Sequence, residues 1–484
     1  MKKIRYIILL VVLVTNISTT RAQVNYKAME QAFTMILHKY PFQADSVAYR
    51  MVKKYQKQPT VYVGIARAYF RNQSKSKAEK YIAVALHIDT LFAPAYVLKG
   101  DMALFARDTT KAAEWYKTAV KANPHESSGY LKYVEVVAPT NTLAAIAMLD
   151  SMKIGCPDYP VNLAQAAVLY SSGNFAKASD IYSSMNKNIL SEDDIAKYAA
   201  SLYFQQQFQN SLNITYEGLA RFTKCMPLNR MAFYNLAELK NYKESMAYGE
   251  KLMAELRGTG KASYRDVMYY AVVNDLTGNH LKAVDTFTDI INGDTTYCAS
   301  LTMDDLKDAQ SHINDIISNL KSADKYDEAS TLYQHFLSSK KHTTAYDEYI
   351  YSEIYKDRMD KAIKEGKDEL QAYKQLDSVY TTFEKKYPTW NQIDLVYYYH
   401  ASYCTEVLDP QASNGNALPI YLQLIKIEEP KQLTDREKRM LKTTYMYVGY
   451  YYNSIKKSAL AKEYMRKLLI VDPTNVDAKR ILGQ

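Results

Sequence analysis

Turn-forming residues are scarce in this chain of 484 residues, which holds only 15 glycines and 13 prolines. That is the balance of helices joined by short turns. Catalytic signatures are absent: there is no phosphate-binding glycine loop, no His-Glu-x-x-His and no nucleophile elbow. The eight histidines, from His38 to His400, never fall three or four residues apart, so no two share a helix face as a metal pair would. The sequence therefore offers no catalytic, cofactor or metal site. Cysteine is limited to Cys156, Cys225, Cys298 and Cys404, spaced far too widely for metal ligands. Acidic residues fall short of basic ones by a formal +9. Much of that excess sits in the first residues, where Lys2, Lys3 and Arg5 precede an apolar stretch from Tyr6 to Val14. Thr20-Arg21-Ala22 then places small residues three and one before a cut ahead of Gln23, the pattern of a secretory signal peptide over residues 1–22. The apolar stretch is well short of the ~20 residues that span a bilayer. No cysteine stands at the cut, so lipoprotein anchoring is not expected, and the mature chain is expected in the periplasm or outside a Gram-negative cell. Cleavage removes Lys2, Lys3, Arg5 and Arg21 but no acid, which lowers the net charge to +5. So weak an excess gives no case for nucleic acid.

What the chain has is a repeat. Ala44, Ala78 and Ala112 lie 34 residues apart, and segments 25–58, 59–92 and 93–126 superpose without a gap. The superposition aligns Met35, Tyr69 and Ala103 near the end of a first helix, and Met51, Ala85 and Ala119 in a second. The third segment is the fullest: Tyr96, Gly100 and Ala103, then Ala112, Tyr116 and Ala119, then Pro124. Two helices approach closely only where side chains are small, so Gly100 and Ala112 permit contact while Tyr96 and Tyr116 fill the space beside them. Pro124 stops the second helix. In period and signature the chain resembles the tetratricopeptide repeat (TPR) family. The resemblance implies an all-α fold, a right-handed α-solenoid of antiparallel helix pairs in which each hairpin covers the apolar side of the last.

Past residue 126 the register drifts while the unit persists. Segments 127–158, 159–191, 192–225, 226–263 and 264–297 each read as a helix pair, with Ser172-Gly173-Asn174-Phe175 as the turn of the second of these. This organises the chain as an N-terminal array over 23–292, a linker or bend over 293–309, and a TPR-like array over 310–484 closed by a capping helix, Val476 to Leu482. In all, about twelve helix pairs are expected. Cys156 and Cys225 stand two repeats apart, on the order of 10 Å per repeat, against the ~7 Å a disulfide allows. Free, mostly buried thiols are expected.

Tyrosine is abundant, at 45 residues. Most are expected to fill inter-helix positions, with the hydroxyl reaching a turn or water. TPR arrays line an inner groove with one side of each first helix. Carried onto this register, the resemblance implies lining by Arg67, Phe70, Arg71, Asp101 and Phe105, and further along by Tyr170, Tyr203, Phe204, Tyr234 and Tyr450. Such a groove takes an extended segment or a helix of another protein. The lysine and asparagine clamp that TPR adaptors close on a chaperone's terminal carboxylate is missing, since the matching places hold Val63 with Arg67 and Val97 with Asp101. The reading is a non-enzymatic protein–protein interaction scaffold of the bacterial envelope, not an integral membrane protein once cleaved. The alternative is a glycan-binding protein of a polysaccharide uptake system. A third reading, a helical-barrel glycosidase, would need two carboxylates facing across a cleft; the 52 acids leave such a pair open, while the 34-residue register argues for an open solenoid.

Overall fold

A glycine and a tyrosine set the spacing of the best-formed hairpin. Gly100 lies in helix Ala93–Phe105, and Tyr116 in the helix that follows, Thr109–Ala122. A Cβ added at Gly100 would lie 2.3 Å from Tyr116 Cε1, so the ring occupies space that any other residue would claim. The Tyr116 hydroxyl then donates to Asp101 Oδ1 at 2.9 Å, one residue further along the same helix. Ring and hydroxyl together fix both the distance and the register of the two helices. Ala44, Ala78 and Ala112, the alanines that mark the repeat, are all buried.

The computed structural model describes residues 26–484, except 295 and 297; the expected signal peptide over 1–22 lies outside them. Among the described residues there are 25 α-helices and no strand, and the fold is an all-α solenoid. The helices succeed one another as hairpins, with Val476–Leu482 left over at the end. A single geometry closes many of these hairpins. After helix Pro59–Arg71, Gln73 N donates to Phe70 O at 2.9 Å and Ser74 N to Tyr69 O at 2.9 Å, with Gln73 in the left-handed region at φ 58°. The same pair of bonds recurs around Arg107, Gly173, Gln206, Gly278, Asp324 and Lys456, each with positive φ. This is the Schellman arrangement, which satisfies the carbonyls at a helix end. Of these seven turns, those at Gly173 and Gly278 hold the position without a Cβ penalty, as does Gly366 between the long helices Ala345–Glu365 and Glu369–Lys386.

The chain divides into two compact units, one ending at Leu239 and the other running from Lys240 to Gln484. In the first unit a second helix commonly packs on its own first helix and on the next one, as Thr109–Ala122 does on Ala93–Phe105 and Ser127–Val137. The opening hairpin departs from this. Its first helix, Tyr26–Lys39, packs chiefly on helix Pro59–Arg71, and the turn carries an extra 3-10 segment, Pro41–Gln43. The superposition aligns Met35 with buried Tyr69 and Ala103, yet Met35 is exposed, and Phe33, Ile36 and Leu37 are the residues buried there.

Helices in the second unit run longer. Ala345–Glu365 has 21 residues and Glu369–Lys386 has 18, which is why segment 344–386 fits a 34-residue period poorly. Helix Met303–Ser322 packs against His280–Ile291, while the intervening segment is tied back by Gly258 N to Thr296 O at 2.8 Å and a bridge between Lys261 and Cys298. The polar insertion after helix Ile393–Leu408 is organised by buried Asp409, whose carboxylate accepts from the Ser413, Asn414 and Gly415 amides and from Tyr447. Burial pushes the Asp409 carboxyl up, but the bonds from Tyr447 and the three amides outweigh it and hold the group below the usual range.

Two outcomes follow from this packing. Gly100→Ala forces the Tyr116 ring from its seat and is expected to cost about 1–3 kcal/mol, read as a lowered thermal midpoint. Burial, then the bond to Asp101, raises the Tyr116 hydroxyl above its ordinary value of 10.0, and burial with the bond to Asp45 does the same for Tyr69. Above pH 10 the folded chain keeps protons that the unfolded chain has released, so this stability is complete below that pH and lost as pH rises. Melting midpoints from pH 9 to 11.5 are expected to fall, and to fall less steeply in Tyr116→Phe.

Candidate partner-binding surface

The residues assigned to the groove separate into two groups in the first unit and one outlier. In the first group, Arg67 Nη1 lies 3.4 Å from Asp101 Oδ2, linking the first helices of consecutive hairpins. The Arg67 guanidinium also stands 5.4 Å from the centre of the Tyr26 ring. Arg71 pairs with Glu30 at 2.7 Å. These charges are thus engaged by the chain's own acids, and what they do is hold neighbouring first helices together. Beside them, Phe70 and Phe105 meet edge to face with centroids 5.5 Å apart. Phe105 is 76% exposed, while Phe70 is half-buried against the core, so Phe105 is the ring presented and Phe70 the one that seats it.

The second group forms one run of ring contacts. Tyr170 touches Phe175 at 5.7 Å, Phe175 stacks on Phe204 at 4.4 Å, Phe204 meets Tyr203 at 5.5 Å and Tyr203 meets Tyr234 at 5.8 Å. Four assigned residues are therefore brought together, but unequally. Tyr203 and Tyr234 are buried and form the base, while Phe204 is exposed and Tyr170 half-buried. Burial raises the Tyr170 hydroxyl above its ordinary value. Tyr450 lies in the second unit, where its hydroxyl donates to Asp477 at 2.6 Å.

Phe175 is the residue that sequence reasoning missed. It reads as part of a turn, but the turn ends at Asn174, whose side chain accepts from Lys177 N at 3.3 Å, and Phe175 begins helix Phe175–Ser183. A signal was present: Phe208 and Tyr242 also begin second helices, at almost the same spacing.

Reactive groups elsewhere are held quiet. The four cysteines are unpaired, and three are buried. Burial pushes the Cys225 thiol up to about 11 and also raises Cys156 and Cys404, so none of these three is a ready thiolate at neutral pH. His400 is locked between Asp377 at 2.9 Å and Glu384 at 2.7 Å.

Stacked helix hairpins presenting aromatic residues on their first helices define a helical-repeat interaction protein. Residues 93–126, the hairpin of Gly100 and Tyr116, match the family model for the tetratricopeptide repeat, so the chain carries a TPR hairpin there. No curated protein matches it in sequence. Among solved structures it is similar to the C-terminal part of a TPR repeat-containing protein from Cytophaga hutchinsonii, at 19% identity over 60% of this chain and 100% of that one, with a TM-score of 0.31. A tetratricopeptide repeat protein from Parabacteroides merdae gives 11% identity over 52% and 97%, with a TM-score of 0.38. PilW, a type IV pilus biogenesis factor, gives 14% over 52% and 98%, with a TM-score of 0.30. Scores this low fix neither a shape nor a partner for this chain. No helix among the described residues is long and apolar enough to cross a membrane. The fold is that of a protein-interaction scaffold.

The two roles separate by mutation. Asp101→Ala leaves Arg67 and Tyr116 without their acceptor and is expected to cost about 1–3 kcal/mol, whereas exposed Phe105→Ala changes stability by less than about 0.5 kcal/mol. Thermal denaturation of the two variants side by side checks this.

Proposed function

We propose that the chain is a non-enzymatic scaffold, exported into the envelope of a Gram-negative bacterium, that takes an extended or helical segment of a partner protein. The segment lies against the aromatic residues of the first helices. The observation that carries this reading is exposed Phe105, set edge to face on half-buried Phe70 of the preceding first helix. Large rigid rings standing clear of a packed helix surface are the groups that anchor protein interfaces at low entropic cost. Phe204, stacked on Phe175, offers a second anchor in the same unit. The leader pattern of residues 1–22 supports export.

Polysaccharide binding gains less support. Sugar recognition combines stacking with hydrogen bonding, and many of the tyrosine hydroxyls already donate within the chain: Tyr69 to Asp45, Tyr116 to Asp101, Tyr264 to Asp308 and Tyr403 to Asp360.

In vivo crosslinking of the tagged full chain, with mass spectrometry of the captured proteins, tests the reading. One or two envelope proteins are expected with wild type and lost with Phe70→Ala/Phe105→Ala, while circular dichroism stays unchanged. Capture that persists in the double variant would sink this face as the site, and capture of the chain alone would sink the scaffold itself.

A further inference from the structure

Three carboxylates from three helices of the second unit converge with more negative charge than their neighbours balance. Asp394 stands in the first turn of helix Ile393–Leu408, Glu428 ends helix Leu418–Glu428, and Glu437 lies in the first turn of helix Asp435–Ser454. One oxygen of each lies within 4.8 Å of the others. Each acid has its other bonding capacity committed. Asp394 Oδ2 accepts from Arg436 Nη2 at 2.8 Å, Glu428 Oε1 from Lys431 Nζ at 2.6 Å, and Glu437 Oε2 from the Thr434 amide at 2.6 Å. That leaves Asp394 Oδ1, Glu428 Oε2 and Glu437 Oε1 without a hydrogen bond; Arg436 comes no nearer to the last than 3.7 Å.

Burial sharpens the imbalance. The side chains of Asp394, Glu428 and Glu437 are 3%, 0% and 12% exposed, while those of Arg436 and Lys431 are 46% and 43% exposed. The cations stand towards solvent and the acids inside. Glu428 Oε2 is buried with no partner at all. Two cations against three carboxylates leave one negative charge uncompensated in a desolvated place, and an orphaned carboxylate oxygen there calls for a proton or a metal.

We propose that Asp394, Glu428 and Glu437 bind a hard divalent cation, with Ca²⁺ preferred over Mg²⁺. The donors are all oxygen, which excludes a preference for soft metals. Ca²⁺ accepts irregular sets of six to eight oxygens at about 2.3–2.6 Å, and water completes its shell; Mg²⁺ demands a tighter and near-ideal octahedron. A cation here ties the N-terminal ends of two helices to the C-terminal end of a third, so binding is linked to the stability of that unit.

Scanning calorimetry of the full chain in EDTA, CaCl₂ and MgCl₂ at equal ionic strength, together with isothermal titration of CaCl₂, tests this. Wild type is expected to bind one Ca²⁺ per chain, with a dissociation constant of about 10⁻⁴–10⁻³ M and a midpoint raised by several degrees, and to respond less to Mg²⁺. Glu428→Gln and Asp394→Asn are expected to weaken binding at least about tenfold. Lys431→Gln, on the exposed side, removes a competing cation and is expected to tighten it. Absence of heat and shift in wild type up to ~10 mM Ca²⁺, with Glu428→Gln melting at or above wild type in EDTA, would show a proton in the metal's place and overturn the proposal. A Ca²⁺ response unchanged in both Glu428→Gln and Asp394→Asn would overturn it too, by placing the ion elsewhere.

Discussion

An aromatic ring seated where its neighbour has no side chain is the contact on which the hairpin depends. Tyr116 rests on Gly100, and its hydroxyl reaches Asp101 before it can reach water. Close-packed interiors tolerate neither a void nor an intrusion at such a place. Once that distance is fixed, Ala112 and Ala119 are buried against the partner helix, and Phe105 at the end of the first helix is left standing outside. The presented surface is a by-product of the packing beneath it.

Tyrosine serves this chain as a two-ended fastener. The ring contributes apolar area to the core, and the hydroxyl takes a carboxylate at its edge, as with Tyr69 and Asp45, Tyr447 and Asp409, and Tyr450 and Asp477. A phenylalanine core would pack as well but would not choose an orientation; the acid adds direction to a contact that hydrophobic burial leaves non-directional. The pattern is not universal, since the buried hydroxyls of Tyr182, Tyr333 and Tyr380 have no hydrogen-bond partner.

How far the fold was legible depends on where the period holds. Ala44, Ala78 and Ala112 could be read directly because small residues at a fixed interval mark the places where helices must approach closely, and all three are buried. Met35 could not, because the additional 3-10 turn at Pro41–Gln43 alters the path out of the first helix without leaving a mark in the spacing. The long helices Ala345–Glu365 and Glu369–Lys386 exceed the unit and so dissolve the register. The binding face was legible in its aromatic members and less so in its charges. Arg67 and Arg71 look like receptors for an acidic partner until Asp101 and Glu30 are seen beside them, and no local pattern announces a pairing across 34 or 41 residues. Phe175 was hidden by its neighbours, since Ser172-Gly173-Asn174 so strongly marks a turn that the residue after it was drawn in.

The hairpin turns carry a wider consequence. Gln73, Arg107, Gln206, Asp324 and Lys456 all adopt the left-handed conformation that glycine holds at Gly173 and Gly278. Each costs on the order of 1 kcal/mol, so the helices on either side impose the turn and the turn residue does not choose it. Letters at those places are then at liberty to drift. A chain built this way keeps its architecture as a bonding pattern whatever letter stands at the turn; even the hairpin that matches the repeat by sequence, residues 93–126, turns on Arg107 and not on glycine.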